Sequence, residues 1–346
     1  MRGLARGLFA SVVLFSAIAG GVGCRAAKAE DTGDTLIVGA YSAPREAFEE
    51  AVIPAFRAAW RRQTGRDIVV RASYLGSGAQ ARAITQGFEA DVAVLALDSD
   101  LDKLVKASLV APDWRARGGG SSGLMARSLV VIAVRAGNPR GIADWADLGR
   151  PGIEVLTPNP RTSGGAMWNL LAVYGAASGD LKAKSAAVAR VVDNVIVMDK
   201  AARESLVSFE RGIGDAAITY EQEVHVARRA GRRYDYVVPP VTAVIDVRMA
   251  TVDRYADAHG RRAAAEAFVA FLRSPEGQAL LRDFGFRPAT GPLDLPGDGR
   301  FLAAGHPFTA ADFGGWKKIA PELFAPVTGA ITRVLEATRE EHEASR

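Results

Sequence analysis

Apolar positions in this chain switch repeatedly between a spacing of two and a spacing near four, the pattern of strands alternating with helices. Residues 35–39 read as a strand, 45–64 as a helix, 67–73 as an alternating strand and 91–96 as a strand, with a helix after it through about Ala107. In the first helix Phe48, Val52, Phe56 and Trp60 recur every four residues, so they form one face that packs on a sheet. Pro54 interrupts that helix without an N–H to offer and predicts a kink. Residues 129–134 open a second α/β unit that runs to the paired prolines Pro239 and Pro240. Strand character resumes at 243–249, and helices at about 261–284 and 312–336 close the chain. No repeat or low-complexity tract interrupts the pattern.

The two units meet at two places. Gly118-Gly119-Gly120-Ser121-Ser122-Gly123 is the most flexible composition in the chain and separates the first unit from the second. The chain returns near 238–245, beside the paired prolines. The predicted organisation is therefore lobe I from residues 24–117 plus 243–346 and lobe II from 118–242, with crossings near 118–125 and 238–245. Two crossings between two rigid lobes are what a hinged cleft requires.

Residues 1–23 read as a secretory signal, with Arg2 and Arg6 as its basic start and an apolar stretch from Leu8 to Ala19. That stretch is short for a membrane span. The only cysteine, Cys24, follows it directly, where a lipoprotein would be cleaved and lipidated; Ala27-Lys28-Ala29 offers a competing cleavage site. A lone cysteine excludes an internal disulfide, and the expected location is the periplasm, free or lipid-anchored through Cys24. Loss of Arg2 and Arg6 with the signal takes the formal net charge from +4 to +2. The arginines are interleaved with acids and form no basic stripe, so nucleic acid is excluded as a partner. Apolar content of 49% suits a core that folds without a cofactor.

Candidate chemistry gathers at two helix starts. The run Thr157-Pro158-Asn159-Pro160-Arg161-Thr162-Ser163-Gly164-Gly165 forbids helix up to Ser163, which then caps a helix whose first residues carry no side chain. Bare first-turn N–H groups and the helix dipole favour a small anion there. Tyr74-Leu75-Gly76-Ser77-Gly78-Ala79-Gln80 repeats the strand, glycine-serine turn and helix start. Two such starts facing each other would surround an oxyanion with neutral donors, and a site built only of donors selects an unprotonated one.

With these residues the chain resembles the bacterial periplasmic sulfate-binding proteins, the solute receptors of sulfate/thiosulfate ABC importers. The likeness rests on Tyr-Leu-Gly-Ser-Gly-Ala-Gln at 74–80, Glu-Ala-Asp-Val at 89–92, Arg-Ala-Gly-Asn-Pro at 135–139 and Trp145-Ala146-Asp147-Leu148. It continues through Thr157 to Gly165, then Phe209-Glu210-Arg211-Gly212-Ile213-Gly214-Asp215, Ser274-Pro275-Glu276-Gly277-Gln278 and Phe313-Gly314-Gly315-Trp316. The resemblance implies a type II periplasmic-binding-protein fold, two α/β lobes with the ligand in the cleft. It also implies an anion site at Ser77, Ser163, Gly164, Gly165 and Ala202, with hydroxyls from the serines and N–H groups from the backbone. Where the family has a tryptophan donating its indole N–H, this chain has Tyr220, whose hydroxyl can donate or accept. That leaves open whether the guest is sulfate, another sulfate-like anion or a protonated one. The first loop, Tyr41-Ser42-Ala43-Pro44-Arg45-Glu46, also lacks the family's aspartate.

Arg203, beside Ala202, either supports the anion from behind or pairs with Glu204 or Asp199. Asp215 reads as ordering a turn, and Trp145, Trp168 and Trp316 as packing aromatics. His225, His259, His306 and His342 are scattered with no metal spacing, and Gly76-Ser77-Gly78 is not a hydrolase elbow, so no enzyme is expected. The expectation is a monomeric sulfate or thiosulfate receptor, without cofactor or metal, serving ABC permease subunits in the inner membrane. The alternatives are a receptor for molybdate or phosphate, a lipid-anchored anion sensor and, remotely, a secreted hydrolase.

Overall fold

Ten strands build a mixed sheet in this computed structural model, which describes residues 34–117, 122–294 and 299–344. The predicted export signal, Cys24 and the predicted cleavage site after Ala29 lie outside the described residues, as does the 118–121 part of the expected first crossing. The strands are β1 (Asp34–Tyr41), β2 (Ile68–Leu75), β3 (Val92–Leu95), β4 (Leu124–Arg135), β5 (Val155–Pro158), β6 (Val195–Asp199), β7 (Ala216–Tyr220), β8 (Tyr234–Val237), β9 (Val241–Thr251) and β10 (His306–Phe308). Their order is β2-β1-β3-β9-β4-β7-β5-β6, with β10 on β9 and β8 on β4.

β1, β2 and β3 are parallel to one another, and so are β5, β6 and β7. The antiparallel pair β9 and β4 stands between the two groups. β4 changes partners along its length: Leu124 to Leu129 pair with β9, whereas Val130 to Arg135 pair with β7 and β8. Strands 92–95 and most of 124–135 are buried continuously, the pattern of strands covered on both faces. β1, β2, β3, β5, β6 and β7 thus send their carboxyl ends toward loops that begin helices, the place where open α/β sheets bind ligands.

The first helix forms over 45–64, with an irregular turn just before Pro54. Arg45–Ala47 is α-helical, Phe48–Val52 is a π-helical turn and Ile53–Thr64 resumes the α-helix, with the Ile53 N–H reaching the Phe48 carbonyl. Proline then occupies a first-turn position, where its missing N–H costs nothing. Phe48, Val52, Phe56 and Trp60 are all buried, and Phe56 meets Phe268 edge-on at 5.0 Å. The apolar tract at 261–284 is two helices, Arg262–Arg273 and Pro275–Asp283. Ser274 separates them because Pro275 cannot continue a helix and the Ser274 hydroxyl caps the next one through the Gly277 N–H at 3.1 Å.

The 312–336 tract likewise divides into Trp316–Leu323 and Ala330–Ala344. Gly314 and Gly315 precede the first of these with φ of 82° and 77°, a backbone that other residues avoid. The three tryptophans are buried packing residues. Trp145 donates to the Val241 carbonyl and Trp168 to the Ala96 carbonyl, each at 2.8 Å, and Trp168 meets Trp316 edge-on at 4.7 Å. Asp215 orders its turn by accepting from Arg140 at 2.9 Å and from the Glu154 N–H at 3.0 Å.

Candidate functional site

Pro158 ends β5, and Asn159 shapes the turn that follows. Its side-chain oxygen accepts the Arg161 N–H at 2.9 Å and its carbonyl accepts the Ser163 N–H at 2.9 Å. The same turn is fastened to the chain after β6, because the Asn159 N–H donates to Asp199 and the Thr162 hydroxyl to Lys200, at 2.8 and 2.7 Å. Helix Gly164–Ala176 therefore starts beside helix Ala202–Glu210. Ser163 is the N-cap, accepting the Ala166 N–H at 3.4 Å, while Ala201 caps the second helix without a side-chain bond. The Gly164 and Gly165 N–H groups and those of the first turn of the second helix have no acceptor within their own helix.

Six predicted residues converge here. A Cβ on Gly165 would lie 3.1 Å from the Ala202 Cβ and 3.2 Å from both the Ser163 and the Tyr220 hydroxyl oxygens. One on Gly164 would lie 3.0 Å from the Ser77 Cβ and 3.0 Å from the Leu97 Cγ, and one on Gly76 only 2.5 Å from the Thr162 carbonyl oxygen. The Ser77 helix, which follows β2 of one parallel group, thus abuts the helix starts that follow β5, β6 and β7 of the other. Glycine at 76, 164 and 165 is what lets the walls come this close. A cavity of about 790 Å³ lined by Leu97, Asp100, Lys103, Pro160 and Met167 lies beside this junction, not on it.

The two serines are used differently. Ser77 is buried as the first residue of its helix, and its hydroxyl donates to the buried Asp100 carboxylate at 2.6 Å and accepts the Ala96 N–H at 3.0 Å. Its proton points into the scaffold, which corrects the expectation that both serines present a hydroxyl to an anion. What Ser77 offers the cleft is the helix start, Ser77–Thr85, whose cap makes no side-chain bond. Tyr220 is fully buried at the end of β7, and its hydroxyl has no partner among the described residues. Burial, with the Glu223 charge adding to it, holds the phenol well above its usual range, so it stays a neutral O–H.

Arg203 pairs with neither Glu204 nor Asp199. Its guanidinium reaches Glu46 and Glu223, each at 3.0 Å, and so ties the helix after β1 to those after β6 and β7. Both branches of the guanidinium are thus taken up by carboxylates. Burial pushes the Glu223 carboxyl up to about 7 against the pull of Arg203, and Glu46 adds to the rise. Glu221, next to Tyr220, is buried in a bidentate pair with Arg287 at 2.6 and 2.9 Å, which anchors the turn after β7.

The sequence reading missed Tyr41, Glu46, Asp100, Glu223 and the Glu221–Arg287 pair. Acids in the first turn of a helix look like ordinary dipole partners, and nothing in a single sequence distinguishes a buried one. Tyr41 alone carried a signal, since it opens the loop that differs from the family pattern, two residues after a predicted strand. Among the described residues no group of three or more His, Cys, Asp or Glu side chains could hold a metal ion, and no helix is long and apolar enough to cross a membrane.

The sequence profile described as bacterial extracellular solute-binding protein matches residues 36–287. A protein named sulfate-binding protein from Synechococcus elongatus is 42% identical over 293 residues, covering 82% of each chain. One named thiosulfate-binding protein from Pseudomonas aeruginosa is 32% identical over 318 residues, covering 90% of this chain and 95% of the relative. In structure, the sulfate-binding protein SubI of Mycobacterium tuberculosis superimposes with a TM-score of 0.74 at 37% identity, covering 84% of this chain and 99% of its own. The fold is that of the periplasmic binding proteins, and these relatives are named for the solute they bind, not for a reaction.

Proposed function

The chain belongs to the bacterial extracellular solute-binding proteins, and from that premise we propose that it captures sulfate or thiosulfate and delivers it to an ABC importer. The observation that carries this reading is the convergence of three helix starts, at Ser77, Ser163-Gly164-Gly165 and Ala202, on one small space, with the nearby Arg203 guanidinium paired to Glu46 and Glu223. Each hydrogen bond to a charged group contributes about 1.5–3 kcal/mol, so several converging donors offset the desolvation of a buried dianion. In this proposal the Gly164, Gly165 and Ala202 N–H groups, the Ser163 and Tyr220 hydroxyls and the Ser77 helix start hold the oxyanion. Arg203 acts behind them, holding Glu46 to Glu223 across the cleft.

We assign residues 34–117 and the returning strand β9 to one lobe and 122–240 to the other, hinged where β4 and β9 exchange partners. The last helix packs on helix Leu181–Asp193, with Arg161 bonded to Glu336 and His342 to Asp193 at 2.9 Å each, so it belongs with the second lobe rather than the first. A monomer, free in the periplasm or lipidated at Cys24, completes the proposal. Isothermal titration of the ligand-free protein with sulfate and with thiosulfate tests it. Tight binding of either is the expected result, and heats at the level of dilution for both would overturn it.

A further inference from the structure

The two walls of the cleft touch closely at Gly76, and nothing local asks for glycine there. Its φ of −60° and ψ of 142° lie in the extended region open to every L-residue. It stands at the N-cap of helix Ser77–Thr85, where serine, threonine or aspartate would add a side-chain bond that glycine cannot make. What excludes a side chain is the opposite wall. The three atoms nearest to a Cβ at this position would all be backbone: the Thr162 carbonyl oxygen at 2.5 Å, the Thr162 carbonyl carbon at 3.3 Å and the Lys200 carbonyl oxygen at 3.5 Å. That backbone has little room to give. The Thr162 and Ser163 N–H groups donate to the Asn159 carbonyl at 3.1 and 2.9 Å, and the Thr162 hydroxyl donates to the Lys200 carbonyl at 2.7 Å. Gly76 is buried against this turn, although Leu75 before it is exposed.

Gly76 lies in the lobe assigned to residues 34–117, and Thr162 and Lys200 lie in the other, so this contact exists only when the lobes are together. Resting on the reading of this cleft as an oxyanion site that closes between two lobes, we propose that Gly76 sets the affinity for the anion by letting the lobes close completely. A side chain at 76 fits its own backbone while the lobes are apart. As they approach, it meets the Thr162 carbonyl and holds the Ser77 helix start away from the Ser163-Gly164-Gly165 wall. The anion then keeps the donors of the second wall and loses those of the first. The loss appears as faster release, because encounter with the open cleft is unchanged.

The test titrates sulfate and thiosulfate into the wild-type protein, Gly76→Ala and Gly76→Ser by calorimetry. Small-angle X-ray scattering with and without the anion, and denaturant melts without it, accompany each titration. Whichever anion the wild type binds should bind both variants about tenfold to a hundredfold more weakly, the loss of hydrogen bonds to a charged group. The wild type should become more compact when the anion is added, and the variants less so. Ligand-free unfolding midpoints of the variants should stay at or above that of the wild type, because both residues fit the backbone and narrow the unfolded ensemble. Wild-type affinity in either variant, or full compaction in both, overturns this inference and leaves the function standing. Ligand-free midpoints that fall along with affinity overturn it too, since the contact would then belong to the resting scaffold. A wild type that binds neither sulfate nor thiosulfate sinks the functional reading and this inference together.

Discussion

The two walls of the cleft look alike in sequence, each a glycine-serine turn opening a helix, and the structure uses them in opposite ways. Ser163 stands one position before its helix, so its oxygen accepts the Ala166 N–H. Ser77 stands one position inside its helix, and its hydroxyl is locked between Asp100 and the Ala96 N–H. A buried carboxylate lies behind each wall as well. Asp100 is satisfied by Ser77 and by Lys103, both at 2.6 Å, whereas Glu223 has one oxygen bonded to Arg203 and one without a partner. A single residue of offset decides whether the serine hydroxyl caps its own helix or is taken up by a buried carboxylate.

Gly164→Asp should have the largest effect, abolishing anion binding. It sets a carboxylate where the walls meet and forces a Cβ to within 3.0 Å of Ser77 and Leu97. Calorimetry showing wild-type affinity in a folded variant would remove this junction as the site.

The contrast between the two acids is tested by pH. A carboxyl held at about 7 when folded binds a proton that the unfolded chain releases near 4.5. Its contribution to stability is complete below that lower value and is lost as pH rises through 7, on the order of 3 kcal/mol over the window. Denaturant melts should therefore show Glu223→Gln losing less stability than the wild type between those limits. Parallel pH curves for the two proteins would mean that Glu223 is ionised throughout.

The serine contrast is sharpened by the pair of alanine variants. Ser163→Ala should lower sulfate affinity by about tenfold to a hundredfold through loss of a hydroxyl bonded to an anion, with about 1 kcal/mol of stability lost with the cap. Ser77→Ala should instead lower stability by about 1–3 kcal/mol, because Asp100 loses a donor in a buried place, and change affinity by less than about threefold. Equal effects of the two substitutions on affinity would mean that Ser77 turns its hydroxyl to the ligand after all. Tyr220→Phe should have the smallest effect, a few-fold loss of sulfate affinity from one missing donor. No loss would make Tyr220 a wall and not a contact.

Much of this architecture is local and was legible before any coordinates. Proline forbids helix through 158–160, Ser163 caps, glycines at 164 and 165 bare the first turn, and the four-residue spacing from Phe48 to Trp60 marks a buried face; each follows from covalent geometry within a few residues. The sequence also set the alternation of strands and helices, because hydrophobic period reports burial one segment at a time. The breaks at Ser274-Pro275 and Gly314-Gly315 were present as letters and passed over in favour of longer apolar tracts.

Only the tertiary structure decided which charged groups meet. Glu46, Arg203 and Glu223 are far apart in the chain and come together because strands β1, β6 and β7 end at the same cleft. The same folding sends the Ser77 proton to Asp100 and leaves a polar atom on each of Tyr41, Tyr220 and Glu223 buried without a partner among the described residues. Propensity, capping and periodicity act over a few residues, whereas desolvation and Coulomb interaction depend on what the fold packs within a few ångströms.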